Sequence, residues 1–495
     1  MKNTTSIGRF TVLFIAIVIA IIIVTTGYSY VNKGKIIFID EVANSGIEEN
    51  LQSDELDLSN SNEYRSWKNT IDTTFKSLYN GNQAEDILAM RPEMVVLWAG
   101  YAFSKSYLSP RGHMYAIDDL RSSLRTGAPR KVNDGPQPAS CWSCKSLDVP
   151  RLMDEVGSQG FYEKKWFDWG AMVVNPVGCA DCHDPESMDL RIPRQFLVDA
   201  LEREGDPVEN ASDRRMRSLV CAQCHSEYYL KGENKEIVLP WDSGHTVEAI
   251  EKYYDKIGFS DYFHKLSKTP VLKAQHPDFE LAQMGIHARR GVSCGECHMP
   301  YVAGDAREYN NHHIQSPLAM MGKTCKSCHR ESVEELRQDV YTRQSKVMEL
   351  RNHLEKELAK AHIEAKFAWD KGATEKQMES VLKLLRQAQW RWDFGIASHG
   401  AAFHAPQEVQ RILGNALYKT MQARMAILEV LNKRGYSNDV PMPDISTKEK
   451  AQKYVGLDMQ SELAAKDEFL KTVVPEWEKE AKANKRFIEE HKVAK

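Results

Sequence analysis

Apolar and polar residues alternate with a helical period mainly in the last third of the chain. Val333, Leu336, Val340, Val347, Leu350, Leu354 and Leu358 recur at mostly three- and four-residue steps, which lays one apolar stripe along a helix. Residues 373–392 and 406–431 repeat the pattern, and Pro406 suits a first helical turn, where a missing N–H costs nothing. Residues 449–492 predict a further, charged helix. From Ser66 to about Arg330 no helical or strand period persists, which predicts loops and short helices, and no strand-rich region competes. At the N-terminus, Lys2 and Arg9 precede an apolar run from Phe10 to Val24 broken only by Thr11, the order of an export signal. The run falls short of the roughly 20 apolar residues of a spanning helix, although residues 25–31 extend it. Residues 1–31 therefore read as a cleaved export signal or an uncleaved membrane anchor. Either puts the bulk of the chain outside the cytoplasm, in the periplasm or on the outer face of the cytoplasmic membrane. Residues 32–65 are polar and acidic and read as a linker.

Composition adds limits. In 495 residues, 42% are hydrophobic, enough for a packed core. Lys and Arg total 65 against 69 Asp and Glu, a formal net charge of -4, so no basic excess points to nucleic acid.

The cysteines carry the chemistry. All ten fall in C-x-x-C pairs: Cys141/Cys144, Cys179/Cys182, Cys221/Cys224, Cys294/Cys297 and Cys325/Cys328. Four pairs are followed at once by histidine: His183, His225, His298 and His329. C-x-x-C-H is the attachment motif of c-type haem. Two thiols add to the two vinyl groups of one haem, and the next residue reaches the iron from the same side of the ring. Zinc ribbons, redox dithiols and disulfides also use paired cysteines, but none requires a histidine directly after the second. Histidine is 16 of 495 residues, so four such placements in five by chance is on the order of a few in a million. The first motif departs from the rest, placing Lys145 in the ligand position. An amine binds iron only through its unprotonated nitrogen, a form that burial and the charge of the metal favour. Both thiols and their spacing are intact there.

One C-x-x-C-K followed by four C-x-x-C-H resembles the pentahaem, ammonia-forming cytochrome c nitrite reductases. The resemblance runs from about Ser66 to Arg434. It is carried further by Arg111-Gly112-His113-Met114-Tyr115 and its sequel to Asp119, and by Leu124-Arg125-Thr126-Gly127-Ala128-Pro129. His225-Ser226-Glu227-Tyr228-Tyr229, Lys273-Ala274-Gln275-His276-Pro277-Asp278 and His399 through His404 to Pro406 add to it. The fold it implies is mainly α, a multihaem cytochrome c with short helices and loops around five haems in residues 66–330. Long helices in 331–495 would serve packing and dimerisation.

The resemblance also implies roles. The haem on Cys141, Cys144 and Lys145 would be catalytic, with an open distal face at which nitrite binds through nitrogen. The other four would be bis-histidine and transfer electrons. Their distal ligands would be His312 for the haem of His183, His113 for that of His225, His404 for that of His298 and His287 for that of His329. His313 adjoins His312, and the spacing to Cys325 favours His312. Arg125, Tyr228 and His276 resemble the family's catalytic trio. An arginine offers fixed charge and a planar donor fork to an anion, a histidine can donate protons near neutrality and a tyrosine can hydrogen-bond an intermediate. Taken singly, such residues are more often a solvated charge, a structural imidazole and a core ring. A calcium ion is implied on the side chains of Glu227 and Gln275 and the carbonyls of Tyr228 and Lys273, oxygen donors that suit a hard cation.

The activity so implied is an oxidoreductase taking nitrite to ammonium with six electrons and eight protons. The electron donor would be a membrane tetrahaem quinol dehydrogenase or a soluble multihaem cytochrome, and the assembly a homodimer. The competing readings are a pure electron-transfer multihaem cytochrome, and a reductase of a related nitrogen or sulfur oxyanion. Hydroxylamine and sulfite are side substrates that the sequence does not rank.

Overall fold

The computed structural model describes residues 61–305 and 307–488. The expected signal or anchor, and the linker as far as residue 60, lie outside the described residues. The described chain is mainly helical, and no helix within it is long and apolar enough to cross a membrane. Strand is confined to three short antiparallel ribbons, such as Tyr229–Lys231 against Glu236–Val238.

The predicted long helices are present, and their ends follow local rules. Helix α1, Val333–Asp370, starts at Ser332, whose hydroxyl accepts from Glu335 N while the Glu335 carboxylate reaches back to Ser332 N at 2.8 Å. This reciprocal cap satisfies two backbone donors that the first turn would leave bare. Gly372, at φ +81°, follows its end in the left-handed conformation that favours glycine. Thr374 and Gln377 cap α2, Glu375–Ala397, in the same way, and Pro406 opens α3, Pro406–Lys433. The apolar stripes of α1, α2 and α3 meet in one core, in which Leu354, Leu358, Leu385, Ile412, Leu413 and Ile427 are fully buried.

The predicted fourth long helix is broken. A short helix, Lys448–Tyr454, precedes α4, Met459–Ala483. Helix α4 leaves the three-helix core alone and packs on the haem-motif region, burying Phe469, Val474 and Trp477 with Trp142 and Trp166. The Trp142 and Trp166 rings stack at 5.2 Å, and Trp477 meets Trp166 edge-on at 5.5 Å. Gly170 is required here, because a Cβ at that position would lie 2.3 Å from the Trp477 ring.

Buried ion pairs tie the bundle to the motif region. Lys273 Nζ lies 2.9 Å from Asp393 of α2, both shielded from solvent, and Trp98 Nε1 donates to the same carboxylate. Arg391 forks onto Glu251 with two bonds of 2.9 Å. Two buried imidazoles, His264 and His362, stack at 3.8 Å. His264 Nε2 bonds the Val96 carbonyl, and His362 joins Ser267 at 2.8 Å and Gln389 at 3.1 Å.

Burial pushes both imidazoles below the ordinary value. His264 is held far down, with His362 beside it as a second cause, and His362 falls to about 4 despite the bond it donates to Gln389 Oε1. Between that value and about 6.5, the unfolded chain therefore binds more protons than the folded one. Stability should be fully present above about pH 6.5 and fall as pH drops toward 4. Replacing His362 with glutamine should flatten that slope in calorimetric unfolding from pH 4.5 to 7.5; an unchanged slope would rule the pair out as its source.

Candidate functional site

In the four C-x-x-C-H motifs the local backbone is one helical turn. His183, His225 and His329 each donate N–H to the carbonyl of the first cysteine, at 2.8, 2.9 and 2.9 Å, and Cys294–His298 is a short helix. Positions i, i+3 and i+4 share a helical face, so both thiols and the imidazole point the same way. In the lysine motif the turn is tighter: Lys145 N donates to Trp142 O at 2.9 Å. All ten thiols are free of disulfides. A single cavity of about 1630 Å³ is lined by cysteines from all five motifs, far larger than a pocket for one small ligand.

Cys328 differs from the other nine cysteines. The sequence places it beside Cys325 as a haem attachment point, yet it is exposed and does not line the cavity, and neither does His329. The reason is its place in the fold. The turn Cys325–Ser327 lies at the molecular surface just ahead of α1, and residues 327–330 are all open to solvent. Cys325 lines the cavity, while the exposed Cys328 thiol has the Ser327 hydroxyl beside it at 3.8 Å. The fifth motif thus lies at the surface, with its second thiol and its imidazole exposed.

The histidines test whether the motifs fit haem. The ring of His312 stands opposite that of His183 with centroids 6.2 Å apart, His404 opposite His298 at 6.2 Å, and His287 opposite His329 at 6.3 Å. Such gaps hold one metal ion with an imidazole nitrogen about 2 Å away on each side. In His183, His298 and His312 the Nδ1 atom bonds a backbone carbonyl, of Met188, Gln315 and Asn310, which leaves Nε2 for the metal. His404 Nδ1 is buried with no protein partner. His313 turns away and bonds Gln315. His113 lies among His225 and Lys145, and burial, aided by these neighbours, pulls it down to about 4. The residues fit axial ligation by paired imidazoles.

Contacts between motifs set an order different from that in the sequence. Cys144 adjoins Cys224, Cys221 adjoins Cys294, and Cys297 lies within electrostatic reach of Cys325 and Cys328. The first motif thus adjoins the third, the third the fourth and the fourth the fifth. The second is bound to the third by Gln223 Nε2, which donates to Asp181 O at 2.7 Å. Arg194 locks the first motif to the second. It is almost fully buried, donates to Ser143 O at 3.1 Å and to Ser146 O at 2.9 Å, and pairs with Asp181 at 2.5 Å.

Arg125, Tyr228 and His276 all line the cavity. Arg125 sits in the turn Leu124–Thr126, its Nε donating to Ser123 Oγ and its guanidinium 4.3 Å over the Phe103 ring. Burial lowers it, while Tyr107 and Cys141 hold it up. The turn is braced from α4 by the buried Lys466, which donates to Arg121 O and to Thr126 Oγ1. Burial pushes that amine down to about 7. Desolvation pushes the Tyr228 phenol well up, with Cys144 and Cys141 beside it. His276 Nδ1 bonds Cys224 O at 3.1 Å, and its Nε2 lies 2.9 Å from Asp278 Oδ2.

The oxygen donors of the implied calcium site are gathered in the same wall. Glu227, wholly buried, accepts from Gln275 N at 2.6 Å and from the Tyr254 hydroxyl at 3.2 Å. The Gln275 side-chain amide is 3.3 Å from Lys273 O. Burial pushes the Glu227 carboxyl well above the usual range, and nearby Glu280 adds to the rise. A buried carboxylate beside amide and carbonyl oxygens, with Glu280 as a second carboxylate nearby, fits a hard cation.

Sequence reasoning missed Asp278, Arg194, Asp181 and Lys466. Asp278 was within reach, as the carboxylate two residues after His276; the others carry no local signal, because their partners lie in distant segments.

Known proteins resemble this chain over most of its length. A family model described as cytochrome c552 matches residues 52–486. A Parabacteroides distasonis protein named cytochrome c-552 is 63% identical over 443 residues, covering 90% of this chain and 89% of its own. A Bacteroides thetaiotaomicron protein of the same name is 62% identical over 427 residues, covering 86% and 87%. Among solved structures, the catalytic subunit of cytochrome c nitrite reductase from Desulfovibrio desulfuricans matches with a TM-score of 0.70 at 28% identity. The match covers 81% of this chain and 87% of that one, a structure noted for two calcium sites.

Proposed function

This chain belongs to the cytochrome c552 family, and we propose that it reduces nitrite to ammonium at the haem of Cys141, Cys144 and Lys145. The observation that supports this most is the gathering of Arg125, Tyr228 and His276 in one cavity with the lysine motif. The balance is nitrite plus six electrons and eight protons giving ammonium and two waters. Haem, when bound, supplies the iron that holds the nitrogen and the electrons that reduce it. Arg125 binds the anion and orients its oxygens through a planar fork. Tyr228 hydrogen-bonds those oxygens, and His276, held between Cys224 O and Asp278, is the nearby proton reservoir for their departure as water. The pairs His183/His312, His298/His404 and His287/His329, with His225 and His113, would hold the haems that supply the electron path. The lysine, a different donor from imidazole, tunes the reacting iron.

The test is stoichiometric. Haem-replete protein supplied with a reduced dye should consume six electrons and release one ammonium per nitrite. Release of nitric oxide or hydroxylamine in place of ammonium would overturn the assignment.

We place calcium on Glu227, Gln275 and the carbonyls of Tyr228 and Lys273, where it would fix Tyr228 and His276 through their chain neighbours. Replacing Glu227 and Gln275 together with alanine should lower nitrite turnover with haem content unchanged. Equal turnover in that variant would dismiss the site.

The chain acts as an exported homodimer in this reading, fed by a multihaem or quinol-oxidising donor at the membrane. Fractionation should place haem-loaded protein outside the cytoplasm. For the dimer, α3 carries Tyr418, Met421, Met425 and Leu428 on one exposed face, opposite its buried stripe. Four large apolar side chains at three- and four-residue steps suit a matching helix of a second copy. Met425→Glu combined with Leu428→Glu should convert a dimer to a monomer in light scattering, and a parent protein already monomeric would refute the interface.

A further inference from the structure

Asp278 lies at the centre of a group of side chains that the sequence scatters. One of its oxygens, Oδ2, is 2.9 Å from His276 Nε2 and 3.1 Å from His225 Nδ1. The other accepts from the hydroxyl of Ser398, just beyond the end of α2. Backbone bonds of 2.8 Å, from Asp278 N to His276 O and from Phe279 N to His225 O, fix the carboxylate at this point. The two imidazoles lie with ring centroids 4.4 Å apart. His225 is the ligand supplied by the third motif, and the third motif adjoins the first. Opposed effects act on the carboxyl: burial would raise it, but His276 and the bond from His225 hold it well below the usual range.

We infer that Asp278 is a positioning residue for the nitrite chemistry proposed above, a single carboxylate that orients His276 in the cavity and anchors the axial imidazole of the neighbouring electron-transfer haem. The two tasks follow from one charge. A carboxylate accepting from the outer nitrogen of a metal-bound imidazole fixes the ring's tautomer and orientation and makes it a stronger donor. A stronger donor stabilises the oxidised iron and lowers its reduction potential. The same oxygen faces His276 Nε2, so the ring that delivers protons and the ring that holds the electron-carrying haem share an acceptor. Replacement by asparagine keeps the shape and removes the charge. It should therefore disturb both partners at once.

The experiment compares the haem-replete parent with Asp278→Asn, with haem content fixed by the pyridine haemochrome. Potentiometric titration followed by paramagnetic resonance, which separates haems by their signals, should show the haem of Cys221 and Cys224 moved to higher potential and the others unmoved. Nitrite turnover should fall about tenfold or more, the loss borne by kcat. A change in only one of the two readouts, or in neither, overturns the inference. A parent that does not turn over nitrite at all refutes the nitrite reading instead, and the potential then still tests the tie to His225. If Asp278→Asn fails to accumulate with five haems, Ser398→Ala replaces it. That variant loosens the carboxylate from its third anchor and should move both readouts the same way by less; no movement in either overturns the inference.

Discussion

Replacing Arg125 with methionine should lower nitrite turnover by about 10² to 10³, the usual loss when one preorganised donor to a developing anion is removed. That range corresponds to roughly 2.7 to 4 kcal/mol at the transition state. Arg125 is held for this role before any anion arrives. Its Nε is bonded to Ser123, its carbonyl accepts from Gln137 Nε2 at 2.6 Å, and its guanidinium rests on Phe103. A residue held at its backbone and at two points of its side chain loses little freedom on binding, so its attraction goes into orientation. Methionine fills similar volume, so the fold should persist. Lysine should restore little, since an ammonium supplies charge without the planar fork. The comparison requires equal haem content and unchanged haem spectra. A variant that keeps turnover within about threefold of the parent would remove Arg125 from the site, since one lost donor is expected to cost far more.

Replacing Arg194 with methionine should destabilise the protein by about 3 to 5 kcal/mol, the cost of breaking a buried ion pair and leaving one charge behind. The charge left is Asp181, 2% exposed and inside the second haem motif. The loss extends further, because Arg194 also donates to Ser143 O and Ser146 O on either side of Lys145. Guanidinium unfolding should register the loss, and the first motif should carry less haem when the variant is matured. Removing both charges, as Arg194→Met with Asp181→Leu, should recover much of the stability, since the desolvation penalty of both ions disappears. If the single and the double variant are equally unstable, the pair is not what holds these two motifs together.

The two variants separate kinds of information. Arg125 could be singled out from the chain because its neighbours in sequence resemble a known site. Arg194 could not. Nothing in residues 191–197 distinguishes that arginine from a solvated charge, and its function exists only because the chain returns to Ser143 and Asp181 from another direction. The charged C-terminal stretch illustrates the same limit. Its pattern predicts a charged helix but not its partners: Phe469, Val474 and Trp477 make α4 part of the wall behind the lysine motif, and Lys466 reaches the turn of Arg125. Cys328 shows the reverse case. Its motif is identical in form to the three C-x-x-C-H motifs before it, and only the position of that turn at the surface leaves its thiol exposed.

What the sequence by itself determined is whatever local geometry enforces. A C-x-x-C-H run closes one helical turn whatever surrounds it, so four motifs of that form and a fifth with lysine in the ligand position can be read directly as candidate haem attachment sites. The long helices are equally local, since Ser332, Thr374 and Pro406 start them and three- and four-residue apolar steps give them a face to bury. The tertiary structure alone decided which imidazole stands opposite which, that His312 and not His313 faces His183, and that the motifs adjoin in the order first, third, fourth, fifth. It alone placed Asp278 between two histidines and Ser398. Asp278 alone joins His225, 53 positions away, to Ser398, 120 positions away. The path of the chain around a shared cavity sets such relations, and no periodicity or short-range spacing encodes that path.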